Sequence, residues 1–496
     1  MKRLFLFCII MALVCSSLCA CYGKTNAGGG ADSGTGANAG GGANDGDGAD
    51  ADAGTGSGTV QDAGGQKQGG SDDSSGSVGL QFLSNRYGES ACNTENGYYY
   101  LTEEAKELKD GSYGTHLKYM DFASRREIYL CSTAGCRHDT LDCPAVFSDD
   151  DFPTVSTLIF VLGDHLYLLS REYDNDGTVV TEFTLPGEEG SPAKAESKPA
   201  ALYRANLDGT GREKIYTFDA ALTLEEQVIG NEKGIYLVTK KLSSEKGGDQ
   251  TYTTSSERKL VYLDLDSLSL REVCSMDFND HKSWKIIGCS QNEFLLSAID
   301  FGRELTREEE QDDDAYKELY DHSFMVYAAL RPEESGKGGK LKELVRQSNE
   351  YVHSVQIVGD SLYVSSSENE NIDRVNIKTG ERGKFCKLPQ NQMMNVLGDT
   401  LCCRTWDLTD DPTWYFVNTK TGAVTHTSLV IPCNGWSVDF RGETSKDVLF
   451  VYDYDATSQP DGSYEIHQYK HALISKDDLF AGKENYRKIK MIDPGK

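Results

Sequence analysis

The sequence predicts an all-β fold, a β-propeller of seven blades that follows a disordered Gly/Ala/Asp-rich linker, and three observations lead there. A turn dipeptide followed by a short aromatic or aliphatic run recurs seven times. A second run and a second turn follow most copies. Glycine is unevenly spread: of 50 glycines in 496 residues, 20 lie between Tyr22 and Gly79.

At the N-terminus, Lys2 and Arg3 precede an apolar run of eleven residues, Leu4–Val14. At about 1.5 Å per residue it cannot cross a hydrocarbon layer of about 30 Å, so residues 1–20 read as an export signal. The segment Leu18-Cys19-Ala20-Cys21 that follows resembles the bacterial lipobox. There, an apolar residue at −3 and a small one at −1 precede a Cys that receives diacylglycerol. Cys21 fits, whereas Cys15 and Cys19 follow the bulky Val14 and Leu18. The resemblance implies a lipoprotein held at the cell membrane through the lipid on Cys21, on its extracytoplasmic face. An ordinary secretory signal cleaved near Ala20 is the alternative.

Residues 21–79 then form the linker. Apart from Ala, only Val60 and Val78 are aliphatic between Tyr22 and Gly79, so burial cannot offset the entropy of ordering. Such a flexible chain reaches about 40 Å root-mean-square. It holds eight Asp against two Lys. Subtracting its −6 and the signal's +2 from the chain's −28 leaves −24 on residues 80–496. A surface that acidic repels phosphate backbones and anionic lipid, which excludes nucleic acid as a partner.

Along residues 80–496 the copies start at Asn96-Gly97, Gly163-Asp164, Lys233-Gly234, Gln291-Asn292, Gly359-Asp360, Gly398-Asp399 and Lys446-Asp447. Their steps are 67, 70, 58, 68, 39 and 48 residues. Second turns stand at Asp208-Gly209, Asp266-Ser267, Thr379-Gly380 and Thr421-Gly422. Turn residues supply the positive φ of tight hairpins, and the runs between them suit a half-buried pleated surface. Antiparallel hairpins repeating at this period argue for a propeller over two sandwiches, because radial repetition leaves few exposed edges. Misreading one weak copy, above all that at Gln291, would make the count six or eight. Unequal steps are loop length, as in the polar inserts Tyr173–Lys198 and Arg303–His322. Thr306 and Glu309 form a capping box, predicting a surface helix over Arg307–Tyr320 with Leu305, Tyr316, Leu319 and Tyr320 toward the blades.

With its Gly-Asp-x-Leu-Tyr elements at Gly163–Tyr167 and Gly359–Tyr363, the chain from Leu80 to about Ile492 resembles bacterial lipoproteins whose exported part is a TolB-like propeller or a related domain of unknown function. The resemblance implies the fold and brings no agreed activity.

Familiar catalytic motifs are missing from the sequence: there is no Gly-x-Ser-x-Gly elbow, no His-Glu-x-x-His helix and no Walker loop. Gly336–Lys340 lacks the spacing of a phosphate loop. Asp174-Asn175-Asp176-Gly177 lacks the distal Glu of a calcium loop and reads as a hairpin turn. The one compact cluster is Cys131, Cys136, His138 and Cys143. Four soft or borderline ligands within thirteen residues have the count of a Cys3His zinc site. Export also permits a disulfide, with Cys136 and Cys143 close enough in sequence to close a short loop, or plain buried thiols. Two function classes remain. One is a binding or scaffolding module for an extracytoplasmic protein, glycan or cell-wall component. The alternative is a carbohydrate-active hydrolase or lyase with its carboxylates at the propeller channel.

Overall fold

A computed structural model describes residues 79–493, apart from 86–89, 149–151, 153–156, 172–198, 247–251, 279, 333–338, 352, 390–391, 406–412, 433–434, 436 and 460–463. Cys21, Cys433, the polar insert after Tyr173 with its Asp174–Gly177 turn, and most of the Gly336–Lys340 segment lie outside the described residues, as do the signal and nearly all of the linker. Among the described residues no helix is long and apolar enough to cross a membrane.

Seven antiparallel sheets, each built from four principal strands in chain order, make a seven-bladed propeller. Each of the seven predicted turn dipeptides joins the first and second strands of one blade. Asn96-Gly97 separates Ala91–Asn93 from Gly97–Leu101 in blade 1, and Gly359-Asp360 separates His353–Val358 from Ser361–Ser366 in blade 5. The copy at Gln291 is a genuine turn: Gln291 sits at φ 51°, between Lys285–Ser290 and Glu293–Asp300 of blade 4. The second set of turns joins third and fourth strands, with Gly209, Gly380 and Gly422 all in the left-handed region that a Cβ disfavours.

The core is distributed. One apolar cluster fills each junction between neighbouring blades. Leu166 and Leu168 of blade 2 pack on Leu117 and Phe147 of blade 1, and Leu449 and Leu473 of blade 7 close on Ala91 and Met120 of blade 1. Central strands are therefore apolar on both faces; in blade 2, residues Leu166–Leu169 are all buried.

The first strands are innermost. Ala91–Asn93 touches the first strands of both neighbouring blades, Thr157–Leu162 and Asp439–Glu443, and His353–Val358 touches Gln392–Leu397. The channel these strands surround is occupied by the chain itself, which the sequence did not foretell. Gln81–Phe82 pairs with the innermost strand of blade 3, Gln81 opposite Gly230 and Phe82 opposite Ile229. The Leu80 amide donates to the Gln291 carbonyl at 2.8 Å and the Leu83 amide to that of Val228 at 2.9 Å. Phe82, Leu83, Ser84 and Asn85 then line a small cavity of about 160 Å³ with Cys92, Asn93 and Glu443 of blades 1 and 7. A Cβ on Gly230 would stand 2.5 Å from Leu83 Cδ1, so Gly230→Val is expected to unseat residues 80–85. The cost of such overpacking is roughly 1–3 kcal/mol. Faster hydrogen exchange at Leu80–Leu83, with the blades unchanged, is the outcome that checks it.

The predicted helix over Arg307–Tyr320 needs correction. The capping box at Thr306 and Glu309 forms, but Asp312, at φ −96° and ψ 107°, splits the segment into Arg307–Gln311 and Asp313–Asp321. The Asp312 carboxylate accepts the Asp314 and Ala315 amides, so a side chain that competes for backbone donors ends one helix and caps the next. Tyr316 lies against Phe301 at 5.7 Å between ring centres, yet no residue of the second helix is fully buried.

Blade 7 contains a buried histidine. Burial, then the nearby Arg441 and Lys118 cations, lower His471 from the ordinary histidine value to about 3. The unfolded chain takes up this proton below about pH 6.5, the folded chain only below about 3, so acid favours unfolding throughout that window. Stability should fall as pH drops from about 6.5 to about 3, and His471→Gln should flatten that slope in urea midpoints measured against pH. An unchanged slope would refute the assignment.

Candidate metal centre

Blade 1 departs from the regular pattern at its outer edge. Its third strand, Tyr113–Asp121, is flanked there by two separate pieces, Arg126–Tyr129 along Lys118–Asp121 and Val146–Ser148 along Gly114–His116. The chain leaves the edge after Tyr129 and rejoins it at Val146. This excursion carries Cys131, Cys136, His138 and Cys143.

The structure brings all four together: the three sulfurs and one ring nitrogen of His138 lie within 4.8 Å of one another. Local backbone geometry produces this. The Cys131 amide bonds the Tyr129 carbonyl at 2.7 Å, the Cys136 amide that of Thr133 at 3.2 Å, and the Cys143 amide that of Thr140 at 3.1 Å. Gly135, at φ 72°, makes the turn into Cys136. His138 is at φ 57°, uncommon for a residue with a Cβ, and such strain persists where surrounding contacts over-determine it. Those contacts are visible. Its ring stacks on Tyr129 with centres 4.3 Å apart, its Nδ1 is 3.2 Å from Cys143 Sγ, and its carbonyl accepts from His116 Nε2 at 2.8 Å. His116 is itself buried, and its ring lies 5.2 Å from the other neighbour of the stack, Tyr129.

Cys143 is buried, while Cys131, Cys136 and His138 are half-buried. Burial, with the neighbouring Cys136 and Cys131 sulfurs, pushes the Cys143 thiol up to about 12. Burial also raises Cys131, but hydrogen bonds from the Thr133 amide and hydroxyl and the adjacent sulfurs outweigh it and leave that thiol below its ordinary value. Desolvation lowers His138, favouring the neutral imidazole that a metal requires. A cation stands beside the group. Arg212, from the third-to-fourth-strand turn region of blade 2, lies 4.1 Å from the Phe147 ring and donates to the Pro144 and Val146 carbonyls at 3.3 and 3.2 Å.

The other described cysteines are dispersed through the blades, away from this cluster. Cys92, Cys274, Cys402 and Cys403 are buried and act as small apolar fillers; burial holds the Cys402 and Cys403 thiols well above the ordinary value. Sequence spacing pointed to the four clustered residues. Nothing in it pointed to Arg212, His116 or Tyr129, whose roles depend on which strands lie side by side.

One His–carboxylate pair also occurs among the described residues. His281 Nε2 lies 2.6 Å from Asp300 Oδ1, which also accepts the Gly302 amide at 2.8 Å, while Asp300 Oδ2 accepts Arg346 at 2.8 Å. Burial pushes the Asp300 carboxyl up, but His281, Gly302, Arg346 and Lys282 together hold it well below the usual carboxylate range. Both oxygens are engaged, so the group clamps blade 4 together. In the cavity of about 280 Å³ on blade 3, Glu257 and Glu272 both pair with Lys259, at 2.8 and 3.1 Å.

No protein-family model and no curated protein matches the chain. Among solved structures, an oligogalacturonate lyase from Vibrio parahaemolyticus shares 13% identity over 75% of this chain and 87% of its own, with a TM-score of 0.38. Acylaminoacyl peptidase from Pyrococcus horikoshii shares 8% over 82% of this chain and 52% of its own, at 0.43. TolB from Acinetobacter baumannii shares 12% over 76% and 77%, at 0.27. The propeller fold of this chain rests on its own seven sheets.

Proposed function

We propose that the protein is an extracytoplasmic lipoprotein, tethered to the membrane by diacylglycerol on Cys21, whose propeller binds or scaffolds a protein, glycan or cell-wall component on its loop faces. The observation that supports this reading is the occupied channel. A hydrolase or lyase of propeller fold would draw carboxylates from several blades to the axis. Here residues 80–85 lie along it, and the carboxylate that reaches the cavity beside them, Glu443, already accepts Lys476 at 2.6 Å and the Gly398 amide at 2.9 Å. Recognition then falls to the loops, which tolerate variation without cost to the core.

Two measurements test the reading. Cys21→Ala should shift the full-length chain out of the membrane fraction as an unlipidated form; continued diacylglyceryl-dependent partitioning would exclude Cys21 as the anchor. The full chain should retain glycans on an array, or crosslink to a distinct envelope partner in intact cells, without shortening oligosaccharides. Turnover of an oligosaccharide would replace the binding reading with the enzymatic one.

A further inference from the structure

We propose that Cys131, Cys136, His138 and Cys143 hold one structural zinc ion, which bridges the interruption in the outer edge of blade 1. This stands apart from the binding reading above, since it concerns how the blade is completed rather than what the faces recognise. Zinc bonds sulfur at about 2.3 Å and nitrogen at about 2.0 Å, so a tetrahedron of such ligands has edges of roughly 3.5–3.8 Å. The four atoms here, spread over at most 4.8 Å, reach that arrangement with shifts of about 1 Å or less at the widest pair.

Three features favour zinc over the other uses of the same residues. A disulfide would consume two sulfurs and leave the third sulfur and the imidazole without a role, whereas one zinc uses all four groups. Three thiolates and a neutral imidazole around Zn²⁺ leave a single negative charge, and the half-buried Arg212, which donates to the Pro144 and Val146 carbonyls just past Cys143, brings a positive charge to the same loop. His138 is also anchored from outside the cluster, by stacking on Tyr129 and by the His116 hydrogen bond to its carbonyl, which orients the ligand before an ion arrives. Four protein ligands leave no open position for substrate, so the site is structural, and soft sulfur donors select zinc over magnesium or calcium.

The function follows from the position. Arg126–Tyr129 and Val146–Ser148 are short edge pieces of four and three residues. On its outer side the first is met only by Lys490, at its start beside Arg126 and Glu127, and among the described residues no strand pairs with the outer side of the second, so neither strand pairing holds the excursion between them. An ion fixed by residues 131 and 143 ties the two ends of that excursion together and keeps Val146–Ser148 on the third strand.

The full-length chain purified without chelators should contain one zinc per chain, and X-ray absorption at the zinc edge should show three sulfur scatterers and one nitrogen. Cobalt exchanged into the site should give thiolate charge-transfer absorption and the intense visible bands of a tetrahedral ion. Cys136→Ser and His138→Asn should each lower metal content at least tenfold after dialysis, while Cys386→Ser, a half-buried thiol of blade 5, leaves one equivalent. Should the cluster variants fail to fold, the native chain still decides the matter: the thiols of Cys131, Cys136 and Cys143 should resist alkylation until a chelator is added. A peptide linking Cys136 to Cys143 or Cys131 by a disulfide, or alkylation of all three without chelator together with zinc below a tenth of an equivalent, would overturn the proposal.

Discussion

Replacing Glu127 with Ala should loosen the closure of the ring and lower the stability of the propeller by about 3–5 kcal/mol, the loss associated with removing one partner of a buried ion pair. Blade 1 comes wholly from the N-terminal part of the body and blade 7 from its end, so no single sheet contains both. Beyond the apolar packing of Leu449 and Leu473 on Ala91 and Met120, closure draws on the tail after Arg487–Lys488. Lys490 forms a parallel bridge with Arg126, its amide donates to the Arg125 carbonyl at 2.8 Å, and its carbonyl accepts the Glu127 amide at 3.0 Å. The Glu127 side chain, with no exposed surface, accepts the Tyr100 hydroxyl, Lys118 Nζ at 3.3 Å and the Ile492 amide at 2.7 Å. Ala leaves the ammonium and the amide desolvated with no acceptor, which is costlier than the pair was stabilising. Urea unfolding should show the lower midpoint, and hydrogen exchange at residues 489–492 should accelerate first. Glu127→Leu combined with Lys118→Met should recover part of the loss, because it removes the stranded charge as well. A Glu127→Ala midpoint within about 0.5 kcal/mol of the native value would rule out this carboxylate as the latch.

Trp414→Ala should cost a comparable amount at a different junction. Trp414, on the third strand of blade 6, is almost fully buried. Its ring packs on Phe440 of blade 7 with centres 4.7 Å apart, and its Nε1 donates to the Val438 carbonyl at 3.2 Å. Arg404, whose guanidinium lies 5.1 Å from the ring, covers it on the blade 6 side. Truncation opens a cavity that the surrounding β-strands cannot collapse to fill, and losses of about 3–5 kcal/mol are typical for a buried Trp. It also deprives the Val438 carbonyl of its donor and bares the buried Arg404. Trp414→Phe, which keeps the ring and loses only the hydrogen bond and part of the volume, should recover more than half of that. The expected signature is a shifted urea midpoint with an unchanged dependence on denaturant; equal midpoints for native and Ala forms would mean that the blade 6–7 contact contributes little.

How much of this was readable from the chain alone depends on the range of the interaction. The seven turn dipeptides were legible because each is a local requirement: a tight hairpin demands turn residues such as Gly163-Asp164 at a fixed point between two apolar runs. Gln291-Asn292, the weakest copy on paper, forms its turn as well, at the cost of a positive φ on a residue with a Cβ. The Cys131–Cys143 cluster was legible for the same reason, as all four donors fall within thirteen residues. The break at Asp312 could have been suspected, since an Asp within a helical run competes for its own backbone amides, but capping box and periodicity argued for one continuous helix.

Other features were decided only by the tertiary structure. Nothing local marks Leu80–Asn85 as the filling of a channel, since Gln81–Phe82 is a two-residue strand whose partner, Ile229–Asn231, lies about 150 residues away. The pairing depends on the open inner edge of blade 3, left unpaired when Ile229–Asn231 joins its own sheet through Gly234–Lys246 alone. The latch at Glu127 is likewise invisible in the sequence, because its acceptor role toward Ile492 spans 365 positions. Arg212 reaches the cysteine loop across the junction of blades 1 and 2. The sequence by itself determined the strands, their turns and the donor set of the candidate metal centre, because those follow from backbone preference and short loop closure. Which strand faces the axis, what fills it, and which charges meet across the ring were determined by packing, where each partner is chosen by the assembled neighbours and not by the residues beside it in the chain.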